Sequence, residues 1–250
     1  MKISLAKPRR CNSRNGEDFE ISLQIGHQGI GPLALERPNL APTADVGLYH
    51  HCVFPYLLDR AMASKVLRRP RTRTLSRARG RILEVGFGTG MNLAHYPPSV
   101  TRIEAIDPDL DLDRYSRPRM KAARIDVDFH HLDAARLPFD DASFDTVVCT
   151  LTLCSIPDVM RALAEIRRVL RSCGEFLFLE HGLAPEPSVA RWQRRLTPIQ
   201  RRLGGGCHLD RDTVRLLDLS GLRPAEYDQY YLRHVPRFAG YMTEGYAVKS

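Results

Sequence analysis

The sequence predicts an α/β fold, a seven-stranded and mostly parallel sheet with helices on both faces. Three observations carry this expectation. Short apolar β-type runs alternate five times with segments of helical period, the pattern of parallel strands joined by crossover helices. The run Ser143-Phe-Asp-Thr-Val-Val-Cys-Thr150 is nearly continuously apolar from Val147, as a central strand covered on both faces must be. Arg81-Ile-Leu-Glu-Val-Gly-Phe-Gly-Thr-Gly90 is a strand that breaks into three alternate glycines, the form of a tight turn opening a helix.

Size and composition permit such a domain. The 250 residues, 43% hydrophobic and 26% charged, suffice for one well-buried domain with an extension. The net charge of +8 points toward nucleic acid or an acidic membrane surface, or simply toward an arginine-rich proteome. The six cysteines are scattered, with no C-x-x-C and no Cys/His grouping at zinc spacing; no metal is expected, and a reduced, cytoplasmic setting fits best. No run approaches the ~20 apolar residues of a membrane span, and the N-terminal residues lack the apolar core of a signal peptide.

Residues 1–45 have no sustained period and carry Pro8, Pro32, Pro38 and Pro42; they read as a poorly ordered extension with at most a short docked piece. The domain is expected over 46–250. A helix opens near Pro55. From Arg60 to Arg81 there are nine basic residues and no acidic one, usually the mark of a solvated face. After the glycine turn comes a strand over 101–106 ending in Asp107, then a charged helix over 112–124 and a third strand over 127–132 ending at Asp133-Ala134. Asp158 caps a helix over 159–171 whose stripe is Val159, Leu163, Ile166 and Leu170, and Gly174 terminates it before the strand Glu175–Glu180. In 189–203, Val189, Trp192, Leu196, Ile199 and Leu203 fall on one side as a core stripe and five arginines cover the rest, with a kink or break expected at Pro198. Asp210 is expected to cap a helix through Leu219. Two further β-rich segments, 225–232 and 242–248, complete the sheet.

The glycine turn alone suits either a dinucleotide or a ligand that is part nucleoside and part amino acid. The dinucleotide motif needs a third glycine where Met91 stands, and Glu84 before the turn would repel pyrophosphate yet accept from an ammonium group. An acidic residue ~20 positions on, here Asp107, is placed to reach ribose hydroxyls.

Taken together, Glu84-Val-Gly-Phe-Gly-Thr-Gly90, Asp107, Asp133-Ala134 and Phe144-Asp-Thr-Val-Val148 resemble successive motifs of the class I S-adenosylmethionine-dependent methyltransferases. Their fold is a Rossmann-like sandwich. The segments 147–155, Glu180-His181, Trp192-Gln193, Gly206-Cys207 and Gly245-Tyr-Ala-Val-Lys249 further resemble the methyltransferase-like seven group of alkyl thiol S-methyltransferases and their bacterial relatives. Animal members of that group are anchored in membranes by an apolar N-terminus, a feature not expected of this chain.

The resemblance implies S-adenosyl-L-methionine as cofactor and a role for each motif residue. Backbone at Gly86, Gly88 and Gly90 cradles the methionine moiety, with Glu84 near its amino group. Asp107 accepts from the ribose hydroxyls and Asp133 from the adenine amino group. The Ala134 N–H donates to the ring, and Pro108 and Leu137 flank it. Thr150 and Leu151 line the methyl-transfer channel. His181, leaving the carboxyl end of the fifth strand, is the first candidate to assist deprotonation of the acceptor, and His208 the second. Tyr49 or Tyr56 covers the cofactor, and Cys154 and Cys207 are pocket lining. The expected acceptor is a small-molecule thiol or hydrosulfide; a quinone precursor, a phospholipid amine or a natural-product hydroxyl are alternatives. A reading of another class makes the chain a basic binding protein on the same fold, using 60–81 and 191–202 against RNA or a membrane. No specific nucleic-acid partner is expected, the basic segments offer a peripheral membrane contact, and oligomeric state is not legible.

Overall fold

A computed structural model describes the strand Lys2–Ser4 and residues 47–250; the extension expected over 1–45 otherwise lies outside the described residues. Five parallel strands form the body of one sheet: β2 (Ile82–Val85), β3 (Arg102–Ile106), β4 (Asp126–His130), β5 (Phe144–Thr150) and β6 (Leu170–His181). Of the C-terminal pair β7 (Leu222–Tyr231) and β8 (Tyr241–Lys249), β8 inserts antiparallel between β6 and β7. With the edge strand β1 (Lys2–Ser4), the order is β1-β7-β8-β6-β5-β2-β3-β4. The seven expected strands are present, and β1 extends them antiparallel to β7. Strand order reverses direction at β2, so a crevice is expected at the carboxyl ends of β2 and β5.

Alternation along the buried strands divides the core between the two faces. Leu83, Val85, Val147, Cys149, Phe176 and Phe178 pack in one cluster, while Ile82, Val148 and Leu177 pack in the other. The helices are α1 (Phe54–Met62), α2 (Lys65–Leu75), α3 (Asp113–Ala122), α4 (Val159–Val169), α5 (Pro187–Leu203), α6 (Thr213–Leu219) and the short α7 (Arg237–Gly240). Pro55 stands in the first turn of α1, as expected, after one π-helical turn, Tyr49–Val53. Asp158 caps α4 by accepting from Arg161 N, and Val159, Leu163 and Ile166 are buried on it.

Several local expectations are corrected. The glycine turn opens only a 3-10 turn, Met91–Ala94, because Pro97 and Pro98 follow too closely for a longer helix. Gly174 does not terminate a helix; α4 ends at Val169, and β6 runs through Gly174 with an irregular register against β5. A Cβ there would lie 2.7 Å from Leu170 Cδ1, so glycine admits close packing. α5 passes through Pro198 without a break. Its buried face is Ala190, Gln193 and Thr197 rather than the apolar stripe; Trp192, Ile199 and Leu203 are exposed. The polar groups are satisfied where they pack: Gln193 donates to the Gly182 and Phe238 carbonyls and accepts from Ala184 N, and Thr197 donates to the Gln193 carbonyl. Asp212, not Asp210, caps α6. Asp210 instead accepts from Thr197. Among the described residues no helix is long and apolar enough to cross a membrane.

Candidate active site

The glycine turn is hooked to the end of β3, where Gly86 N and Phe87 N both donate to the Ile106 carbonyl at 2.9 and 3.0 Å. Gly86 and Gly88 both have positive φ, but for different surroundings. A Cβ on Gly86 would lie 2.1 Å from the Thr152 side chain, whereas one on Gly88 would meet nothing nearer than the Gly86 carbonyl at 4.0 Å. Gly86 is therefore crowded by the protein, and Gly88 keeps space open for a ligand. Arg119 of α3 holds the turn from outside, donating to the Thr89 carbonyl and pairing with Asp59 of α1 at 2.6 Å.

Asp107 lies at the carboxyl end of β3, buried, with Oδ2 accepting from Gly88 N at 2.8 Å and Oδ1 from Asp109 N at 2.9 Å. Burial pushes its pKa up to about 6 against these two backbone donors. The acidic residue after β4, Asp133, is exposed and accepts from Ala135 N, closing an Asx turn beside buried Ala134. Pro108 is exposed, while Leu137 is packed in the main core.

Glu84 is placed otherwise than the resemblance implies. It is fully buried, and both oxygens are engaged: Oε1 accepts from Asn92 Nδ2 at 2.9 Å and Oε2 from the Tyr96 hydroxyl at 2.6 Å. Burial raises its pKa to about 7. The same Asn92 amide donates to Thr150 Oγ1 at 2.9 Å and accepts from buried Arg71, whose own pKa burial pulls down to about 10. Glu84 thus reaches the site through Asn92, which ties the turn to the end of β5. Asn92, Tyr96 and Arg71 were not anticipated. Asn92 and Tyr96 stand within the glycine stretch itself, so polar residues in an otherwise apolar helix start were the available signal.

Leu151, directly after β5, has φ of +56°, a conformation that a branched side chain enters only under constraint. Its N–H donates to the Leu179 carbonyl at 2.7 Å, and the next residue, Thr152, fills the space behind Gly86. This sharp turn throws residues 152–155 over the carboxyl ends of β5 and β6. There Cys154, His181 and Cys207 converge; their Sγ, ring nitrogen and Sγ atoms lie within 4.8 Å of one another, and His181 Nε2 is 3.1 Å from Cys207 Sγ. A hydrogen bond from Cys207 and the neighbouring His181 hold the Cys154 thiol well below its usual range despite burial. His208 Nδ1 is 3.1 Å from the Cys154 carbonyl, beside the cluster rather than in it. Beneath, Glu180 accepts from Thr152 N and Leu153 N, and burial pushes its pKa up to about 8. The expectation that no Cys/His grouping exists holds along the sequence but not in space.

Other expected features fall elsewhere. Tyr49 donates to the Leu203 carbonyl at the end of α5, and Tyr56 is exposed. Much of the basic run serves the fold: Arg71 is buried, Arg73 pairs with Glu244, Arg77 and Arg79 with Glu175, and Arg81 with Glu104. A cavity of about 820 Å³ lies between α2 and the 3-10 turn, lined by Arg68, Arg69, Arg71, Met91 and His95. Neither Asp107 nor Thr150 lines it. Among the described residues Cys52, Cys149, Cys154 and Cys207 are free thiols.

Comparison with known proteins agrees with this geometry. The methyltransferase domain family model matches residues 83–178. The chain is 35% identical to the human thiol S-methyltransferase TMT1B over 66% of this chain and 73% of that protein, and 37% identical to the rat protein over 53% and 55%. The chain therefore spans about half to three quarters of the length of these relatives. It is also 31% identical to a phosphatidylethanolamine N-methyltransferase of Cereibacter sphaeroides over 56% of this chain and 71% of that protein. In fold it is similar to YcgJ of Bacillus subtilis, with a TM-score of 0.54 at 20% identity over 73% of this chain and 95% of that one. The space kept at Gly88 and the carboxylate of Asp107 fit the cofactor of this family, S-adenosylmethionine, and the chain belongs to the class I S-adenosylmethionine-dependent methyltransferases.

Proposed function

We propose that this protein transfers a methyl group from S-adenosylmethionine to a small-molecule thiol or hydrosulfide. The observation that carries the acceptor class is the convergence of Cys154, His181 and Cys207 at the carboxyl ends of β5 and β6, on the loop whose Thr152 touches the glycine turn. The thiol S-methyltransferases among its relatives support the same class.

When bound, the cofactor supplies an already activated sulfonium methyl. What remains for the protein is alignment of nucleophile, carbon and leaving sulfur, and exclusion of water. Gly86, Gly88 and Gly90 would hold the methionine moiety by their backbone, Asp107 the ribose, and Asp133 with Ala134 the adenine. Thr150, the last residue of β5, and Leu151 after it would line the transfer end. A thiol of pKa ~8.5 is only a few per cent thiolate at pH 7, so an acceptor sulfur gains from surroundings that favour its anion. His181, at the end of β6 beside Cys154 and Cys207, would supply such surroundings.

Calorimetric titration with S-adenosylmethionine and S-adenosylhomocysteine tests the cofactor, and a panel of thiols, amines and phenols tests the acceptor. Methylation restricted to phenols or lipid amines would remove the thiol reading and leave the cofactor reading standing. A second reading concerns location. The outward Trp192, Ile199 and Leu203 of α5, flanked by Arg191, Arg194, Arg195, Arg201 and Arg202, form an exposed amphipathic surface suited to peripheral contact with an acidic bilayer. Sedimentation with phosphatidylserine vesicles at physiological salt tests it, and no retention would exclude it.

A further inference from the structure

From this cluster we infer that Cys154, His181 and Cys207 form a zinc site whose remaining coordination position takes the acceptor sulfur. The inference rests on the thiol reading above and deepens it. The ligand set is drawn from three separate elements: the loop after β5, the end of β6 and the loop after α5. Two thiolates and an imidazole are the donors that zinc prefers.

The geometry is compatible. In a tetrahedral site with Zn–S of about 2.3 Å and Zn–N of about 2.0 Å, donor atoms stand roughly 3.5–3.8 Å apart. The three donor atoms here already lie within 4.8 Å of one another, with Nε2 and Sγ of His181 and Cys207 at 3.1 Å. Only shifts of under about 1 Å are needed to seat an ion. Cys154 and Cys207 are buried and His181 partly so, which screens the site from competing water. The backbone of the loop that carries Cys154 is held from several sides. Glu180 is locked by the backbone N–H groups of Thr152 and Leu153, and its Oε2 is buried without a hydrogen-bond partner among the described residues. Arg211 donates to the Leu153 carbonyl. The His208 N–H donates to the Cys154 carbonyl at 2.9 Å.

Three protein ligands are the complement of a zinc site that admits an outside ligand, whereas structural sites close with four. The cluster shares the 151–155 loop with Thr152, whose hydroxyl lies 3.4 Å from the Gly86 carbonyl, so one short loop joins it to the cofactor turn. The step balances simply. An acceptor R–SH binds the ion through sulfur and releases its proton to water. The sulfur lone pair then forms the S–CH3 bond as the cofactor's sulfonium C–S bond breaks, and the electron pair of that bond stays on S-adenosylhomocysteine. The thioether product is neutral and a weaker ligand than thiolate, so it leaves.

The test uses the full chain, stripped of metal and reduced with a phosphine, titrated anaerobically with Co2+. The expected result is thiolate-to-cobalt charge-transfer absorption and the intense visible bands of tetrahedral cobalt, displaced by equimolar Zn2+. Cys154→Ala and Cys207→Ser lose these bands, and Cys52→Ala keeps them. His181→Gln weakens them, and S-adenosylmethionine binding by each variant serves as the check on folding. Addition of a small alkyl thiol shifts the visible bands. Failure of the wild-type chain to bind Co2+ or Zn2+ overturns the site, and bands that no thiol moves overturn its role toward the acceptor. Unimpaired thiol methylation by metal-free protein overturns that role while leaving the thiol reading intact. Metal and thiol binding without any thiol methylation supports the site and removes the reading beneath it.

Discussion

The two halves of the site are built in opposite ways. The cofactor half, Glu84 to Tyr96 with Asp107, comes from neighbouring sequence on one strand–turn–strand unit, although the inward turn of Glu84 onto Asn92 and Tyr96 does not follow from spacing. The proposed acceptor half joins residues 154, 181 and 207, with His181 and Cys207 26 positions apart, and exists only because the carboxyl ends of β5 and β6 and the loop after α5 come together. A local motif declares its ligand, and an assembled cluster declares nothing until the chain is folded. The cofactor is accordingly the better defined of the two, and substitutions should separate the halves.

The largest effect is expected from Gly86→Val. Left-handed strain plus collision with Thr152 should cost about 2–6 kcal/mol, seen as a lowered thermal midpoint together with lost cofactor binding. Gly88→Val carries the same left-handed strain but meets open space, so it should cost only about 1–3 kcal/mol and still lose the cofactor. Equal destabilisation by the two would break the distinction drawn between a crowded and a ligand-facing glycine.

Asp107→Ala should fold and bind S-adenosylmethionine at least ~100-fold more weakly, about 3 kcal/mol, the worth of one or two hydrogen bonds to a charged acceptor. Cys207→Ser should do the reverse: cofactor affinity within ~2-fold of wild type by calorimetry, and thiol turnover down ~10–100-fold. Coupled losses in both variants would mean that the halves are one unit.

Stability of the cofactor-free protein should fall as pH rises from about 4.5 to 7. Glu84 has a folded pKa raised to about 7 from 4.5, so the folded state binds the proton more tightly than the unfolded chain. The stabilisation is complete below 4.5 and is lost as pH climbs through 7. Asp107, raised to about 6 from 3.8, adds in the same direction over a lower window. The size is on the order of a few kcal/mol in total. Glu84→Gln should flatten the profile in denaturant titrations at stepped pH; an unchanged slope would place the ionisation elsewhere. The smallest effect is expected at Trp192, where Trp192→Ala should change stability by no more than ~0.5 kcal/mol because the ring is exposed. A loss of several times that would show that the outer face of α5 is packed after all.

The sequence alone determined the strand succession, the doubly covered β5, the cap at Asp158 and the glycine turn ahead of Asp107, because each depends on period, spacing or turn chemistry within about 25 residues. Tertiary structure decided the rest. α5 buries Ala190, Gln193 and Thr197 because the surface it packs on offers the Gly182 and Phe238 carbonyls and Asp210 as partners; hydrophobic period alone could not weigh satisfied polar groups against an exposed tryptophan. Gly174 joined a strand because its neighbours left no room for a Cβ. Glu84 turned inward because Asn92 and Tyr96 were there to receive it. The convergence of Cys154, His181 and Cys207 had no signature in spacing, since long-range contact is fixed by which strands lie side by side.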